Sequence, residues 1–485
     1  MLSKGVRCVL GGLCIHIVLG TLYCWANITT FVTAYLRIYD DSITYNDTLL
    51  VYATALGFQG LTMFLGGILE KNIGPKYTCL VGGYLIVFGT LLSSFMTTLH
   101  GMILTEGVLF GIGLGLSYSA PISCSVRWMP LRKGLVTGII VAGFGAGSFV
   151  FGLISTRLVN PYQINVASTG STDGYFSPDC DVVKRVPLMF AILSILYFLL
   201  VTFGVSLISD PADTIETTLD ETNNIILDDE IGTGISMETK NKTGVSVQPT
   251  SLYQAASTVD PEHENETNND NNNNSNDNEI LPPVDISPNE LIKIPLAYHL
   301  ASCFILTTVG GMYLAGTFKV YAQKSFSSEL FLSTIGSIAS IFNAVGRIFW
   351  GGLADRIGVL ETLLIMSFLF SIIIFTYSFS PLLHEVGFTI WTFAIFFFEG
   401  ANFALYMPMT VQLFGSKYAS SNYGLIFSCY SFINVINITL LAKNNANFED
   451  ACYILGFVTF CGFLNLLLFS RHSKSNSRFK NCKSR

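Results

Sequence analysis

The sequence predicts an all-α membrane protein, with twelve transmembrane helices in two pseudo-symmetric six-helix bundles. Three observations predict it: a charge-poor composition, apolar runs of spanning length, and a glycine-rich charged turn that occurs twice. Of 485 residues, 51% are hydrophobic and 12% charged, and mean hydropathy is +0.53. A soluble domain carries about 25% charged residues. Most of this chain is therefore expected to face lipid or other helices.

Apolar runs fall at 6–35, 49–69, 78–98, 102–126, 135–158 and 186–208, and again at 294–318, 330–353, 362–379, 386–409, 423–441 and 451–469. Each is near the ~20 residues that a helix needs to cross a bilayer. The first run is too long for a secretory signal and is followed by no small-residue cleavage site, so it reads as a helix. No organelle-targeting segment stands upstream of it, which leaves the host membrane open, plasma membrane or organelle.

The net charge of −7 belongs to one segment. Residues 210–290 hold 18 of the 33 acidic residues and only Lys240 and Lys242 among the bases, leaving 24 basic and 15 acidic residues elsewhere. That segment includes HENETNNDNNNNSNDNE at 263–279. It is too polar to offset its own ordering entropy by apolar burial. It reads as a disordered, acidic, Asn-rich cytosolic linker, either a tether or a site of regulation. It divides an N-terminal bundle, 1–209, from a C-terminal bundle, 291–472, with a basic tail at 473–485.

Lys and Arg set the orientation. With both termini cytosolic, the inner side receives Lys4, Arg7, Lys71, Lys76, Arg127, Arg132, Lys133, Arg356, Lys417 and the basic tail. The outer side receives Arg37, Arg157, Lys184, Arg185, Lys319, Lys324 and Lys443. This bias follows the positive-inside rule. Asn46-Asp47-Thr48 then stands as an outer glycosylation tripeptide, a pattern that also arises by chance. The eleven cysteines form no metal-ligand or disulfide pattern and read as small apolar residues. Neither a metal nor a cofactor is expected.

The repeated turn is GGILEKNIGPK at 66–76, after the second run, and GGLADRIG at 351–358, after the eighth. Small glycines allow close helix packing, and the charged residues make a tight aqueous turn. An echo six spans apart is what a transporter built from two repeats would show, with its site between the halves. Gly66, Glu70, Lys71 and Gly74, with Gly351, Asp355, Arg356 and Gly358, read as conformational gate loops.

Arg347 is the most informative residue. The run 331–352, FLSTIGSIASIFNAVGRIFWGG, holds no other ionisable side chain. Asp355 and Arg356 mark its aqueous end, so Arg347 sits roughly 12 Å inside at about 1.5 Å rise per residue. A guanidinium there costs several kcal/mol and faces a wet cavity or a partner. Glu399, in span ten, is the credible internal partner. Arg347 thus reads either as an anion site or as half of a structural ion pair. Both hold in alternation if an arriving carboxylate displaces Glu399, which would then take up a proton.

These turns resemble the signature loops of the major facilitator superfamily, the first copy being one residue longer. Further stretches resemble its oxalate/formate antiporter-like branch, a neighbour of the monocarboxylate porters. They are GTLYCW at 20–25, YSAP at 118–121, WMP at 128–130, KGLVTG at 133–138, GFG at 143–145, NAVGR at 343–347, GANFALY at 400–406, FG at 414–415 and NYG at 422–424. The resemblance implies the major facilitator fold and makes Arg347 the partner of the substrate carboxylate. It also implies a lysine on span eleven in members that carry oxalate, where this chain has Tyr430. The stretch 423–442 contains no basic residue. One fixed cation suits one carboxylate. A monocarboxylate such as lactate, pyruvate or formate is therefore expected.

Tyr23, Trp25, Gln59, Tyr118, Tyr406 and Tyr430 fall in spans expected to line the cavity, where their polar ends would meet a carboxylate. Core packing or an interfacial belt is the alternative for each. His16 and His299 read as proton relays or as packing histidines. The glycines at 111, 113 and 115, and at 143, 145 and 147, thin two helices for close crossing.

The function expected is secondary active transport of a small organic anion by alternating access, with proton coupling or anion exchange. Its partners are the anion, protons and the lipid bilayer, with no nucleic acid. Alternatives are a major facilitator transporter of a different solute, or a membrane sensor without net transport. No P-loop is present, and the loops are too short and too poor in His, Asp and Glu for a membrane enzyme.

Overall fold

Span one is broken. Its first part, α1 (Lys4–Leu19), gives way to a 3-10 turn (Gly20–Cys24) before α2 (Trp25–Leu36) completes the crossing. At Gly20 a side chain would collide with the Phe144 backbone, so this glycine lets two helices touch. The computed structural model describes residues 3–164, 175–211, 285–322, 325–326, 329–443 and 448–475.

Spans two and three form one continuous helix, α3 (Tyr45–Ser93), bent at Gly74 and Pro75. Gly74 has φ +79°, a conformation that disfavours any side chain. α4 (Leu99–Met102) runs through a π-helical turn (Ile103–Leu109) into α5 (Phe110–Trp128), which makes span four. A 3-10 turn (Pro130–Arg132), α6 (Lys133–Val159), α7 (Asp181–Lys184) and α8 (Val186–Leu207) complete the first half.

The second half begins with α9 (Pro288–Leu291), whose N-cap Ser287 exchanges hydrogen bonds with Glu290, holding that carboxyl below its usual range. Six spans follow: α10 (Pro295–Ala322), α11 (Glu329–Ile357), α12 (Val359–Thr376), α13 (His384–Phe414), α14 (Ala419–Lys443) and α15 (Phe448–Ser475). Gly358, between α11 and α12, has φ +99°. The two signature turns thus end in glycines of the same backbone hand, six spans apart. No strand occurs among the described residues. Among the described residues eight stretches are long and apolar enough to cross a membrane, and two of these, Asp47–Ser93 and Val359–Phe414, each contain two spans. With α11 and α14 they make the twelve-helix arrangement that the sequence predicts.

The halves meet along two helix pairs, α6 on α11 and α3 on α14. Glycine makes both contacts close: Gly134 faces the Gly351 backbone, and Gly67 faces Ser421. The two glycine triplets behave as thinning devices. Gly111, Gly113 and Gly115 meet the backbone of α3, while Gly143 and Gly147 meet that of α1.

Residues 212–284, most of the expected linker, lie outside the described residues, as does the tail beyond Ser475. The last linker residues, from Asp285, are described. Ile286 N–H donates to Phe414 O at 3.0 Å, and Asp285 accepts from Lys417 N–H at 3.1 Å. The side chain of Asn46 is also outside what is described. Thr48 of the same tripeptide is buried and donates to Tyr45 O at 3.0 Å.

Candidate substrate site

Helical spacing assembles the site around Arg347. Asn343 lies four residues earlier on α11, hence on the same face, and its Oδ1 accepts from Arg347 Nε at 2.9 Å. Arg347 Nη1 donates across the halves to Val141 O at 3.0 Å. The guanidinium also lies over two aromatic faces, 5.2 Å from the Phe403 centroid and 5.6 Å from that of Phe144. Its Nη2 completes no hydrogen bond of good geometry, although the Tyr23 and Tyr118 hydroxyls stand close to the guanidinium and the side chain is only 1% exposed. A permanent cation is thus oriented by two carbonyl-type oxygens and keeps one donor nitrogen in reserve.

Arg347 lines a cavity between the halves together with Tyr23, Leu56, Gln59, Tyr118, Phe144, Met312, Phe403, Phe427, Tyr430, Ser431 and Asn434. Arg347 is the one charged side chain among these lining residues. Tyr118 Oη and Asn434 Oδ1 are further buried polar atoms without partners. The space is narrow: a water-sized sphere can centre itself in about 10 Å³, room for roughly one water. His16 sits behind it, edge-on to the Tyr118 ring at 5.0 Å, with its Nδ1 bonded to Gly12 O.

The structure therefore brings together Arg347, Tyr23, Gln59, Tyr118 and Tyr430. It takes two sequence candidates elsewhere. Trp25 faces the interior of the N-terminal bundle, donating Nε1–H to Thr48 O at 3.1 Å. It is two residues from Tyr23, and residues two apart on a helix cannot share a face. Tyr406 lies a layer behind the cavity, its hydroxyl 3.0 Å from Thr307 Oγ1 and its ring stacked on Phe304. A hydroxyl within reach of Thr307 has no need of the cavity. His299 bonds Asn465 at 3.1 Å, also away from the site.

Glu399 does not line the cavity. It is 2% exposed, both its oxygens lack partners, and it makes no ion pair with Arg347. Its carboxyl rests against Gly311 of α10, beside the cavity residue Met312. The next residue, Gly400, packs directly on Asn343 and the Arg347 stem, so the two charges are neighbours through one helix wall.

Sequence reasoning assigned no role to Asn343, Phe144, Phe403, Ser431 and Asn434. Asn343 was legible as the residue one turn before Arg347, and Ser431 and Asn434 as polar residues close to Tyr430 in an apolar span.

The residues of the two repeated turns join the halves at the face that bears the turns. Both Asp355 oxygens accept backbone N–H groups at the start of α6, from Gly134 and Leu135, each at 2.7 Å. Glu70 is buried, ion-paired to Arg127 at 3.1 Å, and accepts from Ser420 Oγ at the start of α14. Arg127 also pairs with Asp210 at 2.9 Å. Lys71 stands over the Tyr418 ring at 4.9 Å. The acid of each turn thus meets the first turn of a helix in the opposite half. Among the described residues no cluster could hold a metal ion. Cys8 and Cys124 touch at 3.4 Å between sulfurs, as thiols.

A two-bundle helical fold with a site between its halves defines a solute transporter rather than an enzyme. The chain belongs to the Major Facilitator Superfamily, whose family model matches residues 17–437. It is 27% identical to apicoplast pyruvate carrier 1 of Toxoplasma gondii over 87% of this chain and 80% of that one. It is 21% identical to the oxalate:formate antiporter of Oxalobacter formigenes over 82% and 76%. In fold it resembles the proton:xylose symporter XylE, with TM-score 0.64 and 14% identity over 96% of this chain and 95% of that one.

Proposed function

We propose that this protein is a secondary active transporter of a small monocarboxylate, with pyruvate, lactate and formate as the leading substrates. The observation that carries the reading is the buried Arg347, with one free donor nitrogen beside the unpartnered Tyr118 hydroxyl. A carboxylate there would meet a charge-assisted donor and a neutral donor, both already oriented. A second carboxylate would meet no second cation among the described lining residues, which disfavours oxalate. The pyruvate and oxalate:formate relatives support an organic acid as cargo.

The narrow cavity suits an acid of one to three carbons and requires its walls to part as the substrate enters. Alternating access supplies that motion, with the contacts of Asp355 and Glu70 closing one face. Proton co-movement or anion exchange would drive it, with Glu399 responding to whether a substrate carboxylate neutralises Arg347.

Counterflow in proteoliposomes with labelled pyruvate, lactate, formate and oxalate tests the reading. Saturable exchange of monocarboxylates, weak exchange of oxalate and loss of flux by about 100-fold or more in Arg347→Ala are expected, because removing a buried charged donor costs several kcal/mol. Undiminished flux in Arg347→Ala would remove the assigned mechanism.

A further inference from the structure

A second cavity lies inside the N-terminal bundle, lined by residues of that half alone. Water-sized spheres can centre in about 30 Å³ of it, space for roughly two waters. Its one charged lining residue is Glu106, carried on the π-helical turn Ile103–Leu109. Glu106 is 9% exposed and its Oε1 has no hydrogen-bond partner. Thr90, on α3, also lines this cavity, its hydroxyl close to the Glu106 carboxyl without completing a well-formed hydrogen bond.

Such a turn is a poor way to pack a helix and recurs at functional sites. Here it is fastened to its surroundings. Thr105 donates to Gly101 O at 3.0 Å and accepts from Ser93 Oγ of α3 at 2.6 Å. The next residue, Glu106, is thereby set into the cavity wall.

The groups facing Glu106 carry no fixed charge. The other titratable ones lining the cavity are Cys24 from the 3-10 turn, Tyr52 from α3 and Tyr197 from α8. No basic residue is among them. An isolated carboxylate in such surroundings costs far more than a fold retains, so it needs a positive partner. A metal cation asks for a fuller oxygen shell than one carboxylate and a few hydroxyls in a largely apolar wall. A proton needs only the carboxylate, with water to deliver it.

The two cavities share a wall one residue thick. Tyr23 lines the central cavity while its neighbours Leu22 and Cys24 line this one, and Leu56 and Ala55 divide in the same way. The 3-10 turn that breaks span one is that wall. We infer that Glu106 binds and releases a proton during the transport cycle, in a hydrated cavity coupled to the substrate site through the 3-10 turn Gly20–Cys24. This rests on the monocarboxylate carrier reading and places a proton site in the half opposite to Glu399.

The test compares wild-type and Glu106→Gln proteoliposomes with labelled pyruvate. In Glu106→Gln, uptake driven by a pH gradient should fall by about tenfold or more, while counterflow at equal pH stays within a few-fold of wild type. Retained counterflow shows that the variant is folded and that its substrate site works. Wild-type gradient-driven uptake persisting in Glu106→Gln overturns the proposal. So does wild-type exchange that moves no protons, or uptake that requires Na⁺ in place of choline. Failure of wild type in counterflow with every monocarboxylate would instead fail the substrate reading. Infrared difference spectra across a pH titration give a readout independent of transport. A carboxylic acid band absent from Glu106→Gln supports the assignment, and identical spectra overturn it.

Discussion

One helix, α11, carries two charges about two turns apart that are treated in opposite ways. Asp355, at its end, has both oxygens satisfied by backbone N–H groups of α6. Arg347, roughly 12 Å deeper, is almost fully buried and leaves Nη2 without a partner. The charge near water is saturated, and the charge in low dielectric is not. Stability alone would favour the reverse, since an unsatisfied buried polar group costs about 1–3 kcal/mol or more. On the proposed reading, the lower charge closes one face and the deeper one receives the substrate.

The strongest way to break this contrast after Arg347→Ala is Arg347→Lys. The charge survives, but a point-like ammonium cannot hold Asn343 Oδ1 and Val141 O while presenting a further nitrogen in a fixed plane. Apparent affinity for the monocarboxylate should fall about tenfold or more, read as KM in counterflow. An unchanged KM would mean that only charge, not geometry, serves the site.

A smaller effect is expected at the other end of α11. Asp355→Asn weakens the cap on α6 by about 1 kcal/mol, close to a fivefold shift toward the conformer open on the turn face. Ser420→Ala should act the same way through Glu70, and the two shifts should add if the contacts are independent. Spin labels across that face would report the populations. A distance distribution that does not move would deny these contacts a gating role.

For transport itself, the smallest effect is expected from the backbone of the turn, which bears on stability alone. No neighbouring atom would meet a Cβ at Gly74, so Gly74→Ala tests only its φ of +79°. A loss of about 1–2 kcal/mol of stability, seen as a lower melting temperature in detergent with substrate affinity retained, is expected. A melting temperature equal to wild type would show that the turn adapts freely.

The fold was legible because its causes are local. Apolar runs of spanning length need no tertiary information, and the glycines of GGILEKNIG and GGLADRIG announced turns whose last residues do take positive φ. The charge centre was legible too, since a lone guanidinium in an apolar run stands out whatever surrounds it. Its neighbours were harder to place. Tyr23 and Trp25 are alike in chemistry and two residues apart, and only the path of span one decides which faces the halves' boundary. Tyr406 carries the same signal as Tyr430 but meets Thr307 first.

By itself the sequence determined the number of crossings, the two-fold repeat, the charged turns and the depth of Arg347, because hydropathy and helix rise act along the chain. Tertiary structure alone decided that Glu399 stands apart from Arg347, that Glu106 opens onto a cavity of its own, and that each turn's acid meets a helix start in the other half. Such relations depend on which faces of distant helices meet. Close glycine contacts fix those faces to within an ångström, a precision that no one-dimensional pattern carries.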